Sequence, residues 1–249
     1  MRLFAIGDTH LPSTRGKSMD KFGWTDHPLP LQRAWDAQVR AEDVVIVAGD
    51  ISWATRPAEV GDDLKWLDER PGRKVLLRGN HDFWWGDSAT KLRRVLAPYP
   101  SLEAFLHNCA VVIGPWVIAG TRLWTADQAP SMAGRISGGE MGDEPPNTAY
   151  VERETKRLEI SIKDAIAQQL ASAATLTRIV AVHFPPLYSN REATPFSHLI
   201  ESFKPTHCVY GHLHSTGIPA GFVGEHGGVE YHLVSCDAAQ FSPVLIDEK

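Results

Sequence analysis

The sequence predicts a single α/β domain over residues 1–249, a layered sandwich in which one sheet lies beside another. Three observations carry this. Short apolar runs alternate with amphipathic stretches in the first third of the chain, which is the β-α-β-α rhythm. Later runs follow one another too closely for helices to intervene. Most of the runs also end abruptly on Gly, Asp, Asn or His, as strands do when their carboxyl ends open onto a ligand crevice.

In order, RLFAI reads as a first strand, Leu31 to Arg40 as a helix, DVVIVA as a strand, Glu59 to Glu69 as a helix and KVLL as a strand. The runs CAVVI, PWVIAG, TRIVAVH, THCVY, VEYHLVS and PVLI add strands in the middle and C-terminal parts. The segment from Asp127 to Asn147 is rich in Gly, Pro, Ser and Asp without a period, a loop long enough to serve as a lid. After it, Thr148 to about Ala173 carries a long helical pattern, with Thr148 as N-cap and Glu152, Glu154, Lys156 and Arg157 on solvated faces.

Composition excludes several classes. Apolar residues make up 43% and charged residues 22% of the chain, and no apolar run approaches the roughly 20 residues of a membrane span. MRLFAIGD turns polar at once, without a small-residue cleavage site, so it reads as a strand rather than a signal peptide. Cys109, Cys208 and Cys236 lack C-x-x-C spacing, which argues against a disulfide framework or a thiolate zinc site and fits a cytoplasmic protein. A net charge of -5 with no Lys/Arg cluster gives no footprint for extended nucleic-acid binding, while a small phosphorylated substrate, nucleotides included, stays open.

The chemistry sits where the strands end. RLFAI is followed by Gly7-Asp8-Thr9-His10, VVIVA by Gly49-Asp50, VLLR by Gly79-Asn80-His81-Asp82, IVAV by His183, and HCVY by Gly211-His212-Leu213-His214. Taken singly, each has a plain reading. Asp8 with His10 fits a turn residue and a surface histidine, Asp50 a cap, Asn80 a turn, and His183 a hydrogen-bonded core histidine. His212 and His214 say more, because a spacing of two on an extended segment points both imidazoles the same way.

Together and in order, D-x-H, G-D, G-N-H-D, H and G-H-x-H resemble the signature of the calcineurin-like metallophosphoesterases, with every element present across residues 8 to 214. The resemblance implies a four-layer α/β/β/α sandwich of two mixed sheets flanked by helices. It implies two divalent or mixed-valence metal ions, the first on Asp8, His10, Asp50 and His214, the second on Asp50, Asn80, His183 and His212, with Asp50 as bridge. Nitrogen and oxygen donors suit manganese, iron, zinc, cobalt or nickel alike. By the same resemblance a metal-bridging hydroxide attacks the phosphoester and His81, oriented by Asp82, is the general acid. Arg78 and Arg122 are candidate phosphate ligands, with structural salt bridges as the plainer reading of both.

Departures narrow the branch. Trp53 stands where purple acid phosphatases have tyrosine, and the second block lacks the V-D-R-G of protein Ser/Thr phosphatases. His81 stands where lipid A precursor pyrophosphatases usually carry arginine. Little chain follows His214 to form the DNA-capping domain of the double-strand-break nucleases. A compact, bacterial-type phosphoesterase acting on a small substrate remains. A non-catalytic metal-binding module on the same fold is the alternative. Trp53, Trp84, Trp85 and Trp124 near these blocks read first as space-filling indoles and second as walls of a substrate cleft.

Overall fold

The computed structural model describes residues 1–12, 19–130 and 146–249. All nine apolar runs form strands. The first sheet contains β1 (Arg2–Ile6), β2 (Val44–Ala48), β3 (Arg73–Leu77), β4 (Ala104–Leu106) and, at the other edge, β11 (Val244–Glu248), in the order β11-β1-β2-β3-β4. The second contains β5 (Ala110–Ile113), β6 (Trp116–Thr121), β7 (Thr177–Val182), β8 (His207–Tyr210), β9 (Gly224–His226) and β10 (Val229–Leu233), in the order β5-β6-β7-β8-β10-β9. Both sheets are mixed. β1 to β4 run parallel with β11 antiparallel, and β6, β7, β8 and β10 run parallel between antiparallel edges.

The inner strands β1, β2, β3, β6, β7 and β8 are largely apolar because they are covered on both faces, whereas edge strands such as β5 and β11 expose Val112 and Leu245. The pleat sends alternate side chains to opposite sides. Leu3 and Ala5 of β1, Val44, Ile46 and Ala48 of β2, and Ile179 and Ala181 of β7 pack between the sheets. Phe4, Ile6, Val45 and Val47 instead meet Leu31 and Trp35 of α1 (Leu29–Gln38), Leu64 and Leu67 of α2 (Gly61–Asp68), and Leu92 and Leu96 of α3 (Ala89–Leu96). On the far side, Val180 and Val182 meet Leu158 and Ile162 of α4 (Thr148–Ala171), together with Phe196 and Ile200 of α5 (Pro195–Phe203). The layers are therefore helix, sheet, sheet, helix. The sheets also join directly where their strands end, as Gly7 N donates to Val234 O at 2.7 Å.

Four local readings are corrected. α3 and α5, each burying only a few residues over eight or nine positions, are absent from the sequence reading. Their caps carry the signal instead: Ser88 accepts from Lys91 N, and Thr194 forms a capping box with Ser197 before Pro195. The N-cap of α4 is Asn147, whose Oδ1 accepts from Tyr150 N at 3.3 Å, so Thr148 is already helical. Glu154 is fully buried rather than solvated, because it gathers Arg122, Arg153 and Arg157. Of the anticipated 127–147 loop or lid, residues 131–145 lie outside the described residues. The three cysteines are free, and among the described residues no helix is long and apolar enough to cross a membrane.

Trp116 anchors the layer between the sheets, fully buried with its Nε1 donating to Asp247 Oδ2 at 2.7 Å. Trp116→Ala is expected to cost about 3–5 kcal/mol in urea unfolding. Val112→Ala on the neighbouring β5, where the side chain is exposed, is expected to stay within about 0.5 kcal/mol.

Candidate metal centre

Asp8, Asp50, Asn80, His183 and His212 lie just beyond the carboxyl ends of β1, β2, β3, β7 and β8. The chain bends sharply there. Asp8, His10, Asp50 and His212 all have positive φ, at 57°, 41°, 50° and 73°. Such a conformation costs a non-glycine residue on the order of 1–3 kcal/mol and persists only where the surroundings enforce it. Here the turns hold one another: Asp8 N donates to Gly49 O at 2.8 Å, His10 N to Asp50 O at 2.9 Å and Gly211 N to His183 O at 3.0 Å. Two glycines admit the carboxylates. A Cβ on Gly79 would collide with the side chain and backbone nitrogen of Asp50, and one on Gly211 would collide with Asp8 Oδ2.

The structure brings all seven predicted ligand positions into one cluster. Donor atoms of Asp8, His10 and His214 lie within 4.8 Å of one another, as do those of Asp8, Asp50 and His183. His214 Nε2 is 3.2 Å from Asp8 Oδ1, and His10 Nε2 is 3.8 Å from Asp50 Oδ2. On the other side His183 Nε2 is 3.6 Å from Asp50 Oδ1 and 2.7 Å from Asn80 Oδ1, while His212 Nδ1 is 3.1 Å from the same Asn80 oxygen. Asp50 lies between the two halves.

The donors fit a cation by their own hydrogen bonding. Both ring nitrogens of His10 are buried without a hydrogen-bond partner, so the one lone pair of its neutral ring is unmatched, which is costly unless a cation occupies it. His183 Nδ1 lies 2.9 Å from Ala48 O. A carbonyl only accepts, so Nδ1 carries the hydrogen and Nε2 is the nitrogen turned toward Asn80 and Asp50.

The electrostatics agree. Burial opposes ionisation of Asp50, but the imidazoles of His183, His81 and His10 outweigh it and hold the carboxyl well below the usual range. Burial drives the pKa values of His10 and His212 well down, which leaves their lone pairs available. Burial also opposes charge on His214, yet Asp8 and Asp237 on either side lift it to about 10. A cation on His214 therefore displaces a proton, which couples metal affinity to pH.

Other predicted site residues are placed differently. Asp82 does not hydrogen-bond to the His81 ring, the expected orienting contact. Its Oδ1 accepts from Ile51 N at 2.9 Å, Ser52 N at 3.2 Å and Trp84 Nε1 at 2.9 Å, and its Oδ2 from Gly79 N at 2.8 Å. Asp82 thus clasps the β2 and β3 turns together, and burial with nearby Asp50 pushes its pKa up to about 6. His81 takes its orientation from aromatic neighbours, with Trp53 at 4.9 Å and Phe83 at 6.4 Å between ring centroids. Its Nε2 lies 4.0 Å from Asp50 Oδ2. Arg78 and Arg122 both form ion pairs, with Asp87 at 3.1 Å and Glu154 at 3.9 Å.

The tryptophans divide. Trp84 and Trp85 are buried among the side chains between the first sheet and its helices, whereas Trp53 stacks on His10 at 4.7 Å. Sequence reasoning missed Trp24, packed at 5.5 Å from His214, and Asp237, whose Oδ1 lies 2.7 Å from His214 Nδ1. Asp237 was detectable: it follows β10, another parallel strand ending at the same edge. A carboxylate behind a ligating histidine fixes the tautomer and raises its basicity. Asp237→Asn is accordingly expected to weaken metal binding about 10–100-fold in chelator competition while leaving the fold intact.

The model of the calcineurin-like phosphoesterase family matches residues 1–216. The Gene 66 protein of Mycobacterium phage D29 is 44% identical over 75 residues, 30% of this chain and 37% of that protein. The Gene 66 protein of Mycobacterium phage L5 is 42% identical over 57 residues, 23% of this chain and 27% of that one. The aligned stretches thus span little more than a third of these relatives at most. Among solved structures, phosphopantetheinyl hydrolase from Mycobacterium tuberculosis superposes with a TM-score of 0.55 at 18% identity, covering 100% of this chain and 96% of that one. The Thermus thermophilus protein TT1561 gives 0.50 at 14% identity, covering 91% and 90%. Likeness at these identities speaks for the fold alone, whereas the family match covers most of the chain and all seven clustered positions. The chain belongs to the calcineurin-like phosphoesterases.

Proposed function

We propose that the protein is a metal-dependent phosphoesterase that hydrolyses a phosphomonoester or phosphodiester of a small substrate, nucleotides included, with two cations shared by Asp50. The observation that carries this reading is the clustering of Asp50 with six other nitrogen and oxygen ligand residues at the strand ends, His10 among them with both ring nitrogens buried and unpartnered. Cations held there supply the positive charge that a phosphate ester needs before an anionic nucleophile can approach, and they acidify water. The absence of thiolate donors suits manganese, iron, zinc, cobalt or nickel. We place the protein in the cytoplasm, where its three free cysteines stay reduced.

The chain's own residues do the rest. Asp50 and Asp8 provide the anionic charge that holds the cations, and the second carboxylate on His214, from Asp237, keeps that imidazole aligned. Trp53 and Trp24 shield the ligand rings from water on one side. His81, beside Asp50 and partly exposed, is the group we assign to protonate the leaving alkoxide from its imidazole.

Removal of metal followed by addition of each of the five metals, assayed with p-nitrophenyl phosphate, bis-p-nitrophenyl phosphate and cyclic nucleotides, is expected to restore hydrolysis with at least one. Two bound metals without turnover of any ester would favour the non-catalytic module. Asp50→Ala is expected to abolish both metal occupancy and activity, and full activity in it would remove the site assignment. His81→Ala should retain metal yet slow esters with poor leaving groups by about 100-fold or more relative to activated ones. Equal slowing of both would exclude the acid role.

A further inference from the structure

One peptide group lies between two of the clustered ligand residues and is held at both ends. The plane joining Thr9 to His10 donates through His10 N to Asp50 O at 2.9 Å, and its Thr9 carbonyl accepts from His27 Nε2 at 2.6 Å. A carbonyl only accepts, so Nε2 carries the hydrogen. Thr9 and His10 are fully buried, and His10 leaves this plane at a positive φ of 41°. Because the peptide is rigid and φ is the rotation that follows it, whatever fixes the plane also fixes where the His10 imidazole points.

The partner on the carbonyl side comes from outside the strand ends. His27 lies just before α1, and its Nδ1 is buried without a hydrogen-bond partner. An unmatched buried lone pair is costly, and a phenyl ring would fill the space without it, so the Thr9 contact is what a histidine adds there. Burial holds the ring's pKa down, against the Thr9 carbonyl and Asp20, so it donates without bringing a positive charge to a cation site. Trp24 packs edge-on against it at 5.1 Å, and Phe241 lies 6.0 Å away. Trp24 itself lies 6.0 Å from the His10 ring and 5.5 Å from that of His214. Trp24 and His27 form one bracket, the first against the imidazoles and the second on the peptide that aims one of them.

We propose that His27 is a positioning residue for the first cation, the one assigned to Asp8, His10, Asp50 and His214: by clamping the Thr9–His10 peptide it holds the His10 imidazole in its ligating orientation. The inference rests on the phosphoesterase reading above, which it deepens.

The test follows binding of manganese, and separately of zinc, to the full chain by calorimetry. His27→Phe keeps a ring between Trp24 and Phe241 and removes the donor, whereas His27→Gln restores a donor at the Nε2 position. The binding step that Asp237→Asn weakens is expected to weaken about 10–100-fold in His27→Phe, the other step to change less than about twofold, and His27→Gln to recover most of the loss. Unchanged binding, equal weakening of both steps, or a glutamine no better than the phenylalanine would overturn the proposal. Should His27→Phe fail to fold, His27→Asn, whose amide nitrogen reaches only the Nδ1 position, takes its place with the same outcomes. Two cations bound without turnover of any phosphoester would remove the phosphoesterase reading and leave this comparison standing. If wild type binds no cation, that reading fails separately, and hydrogen exchange of the His10 amide in the metal-free chain decides the clamp. Exchange about tenfold faster in His27→Phe and reversed in His27→Gln supports it, and equal exchange overturns it.

Discussion

Burying a carboxylate costs several kcal/mol unless charges or N–H donors compensate it, and the carboxyl edge of this sandwich is built around that requirement at Asp50. Its Oδ1 accepts the backbone N–H of His81 at 2.8 Å, and imidazoles of His10, His81 and His183 stand 3.6–4.0 Å from its oxygens. The approach is so close that the facing residue in the turn after β3 has to be Gly79. Five strand ends are drawn to one point as a consequence, and the sheets are joined where the charge is concentrated.

The surrounding structure enforces what the local backbone resists. Four left-handed ligand residues need partners that fix their turns, and they have them in carbonyls of neighbouring strand ends and in the Asp82 clasp between the β2 and β3 turns. Aromatic rings complete the support, with Trp53 against His10, Trp24 against His214 and Phe184 against His212 at 4.1 Å. Ligand geometry is thereby set by rigid elements rather than by side-chain freedom, the condition under which a cation can bind without reorganising the protein.

Charge is distributed in two linked zones. Acidic and imidazole groups gather at the strand ends, and guanidinium groups gather beside them on α4 and the β3 and β6 ends. The buried Glu154 sets the second zone. A carboxylate at that position on α4 pairs with arginines from the same helix and from the segment after β6, which ties the helix covering the second sheet to that strand's end.

By itself the sequence made nine of the eleven strands, and the seven candidate ligand positions that the fold gathers, legible in local chemistry as apolar runs, five of them ending on a donor residue; β4 and β9, three residues each, were too short to show. Tertiary structure decided which groups meet. His212 N reaches Asp8 Oδ2 at 3.0 Å across 204 residues, and Asp237 reaches His214 only because β10 lies beside β8. Asp82 turned from His81 to the β2 turn, and Glu154 moved from the expected solvated face into the interior, for one reason. A polar side chain goes where unpaired donors await it, and those donors belong to segments that only the folded chain brings near.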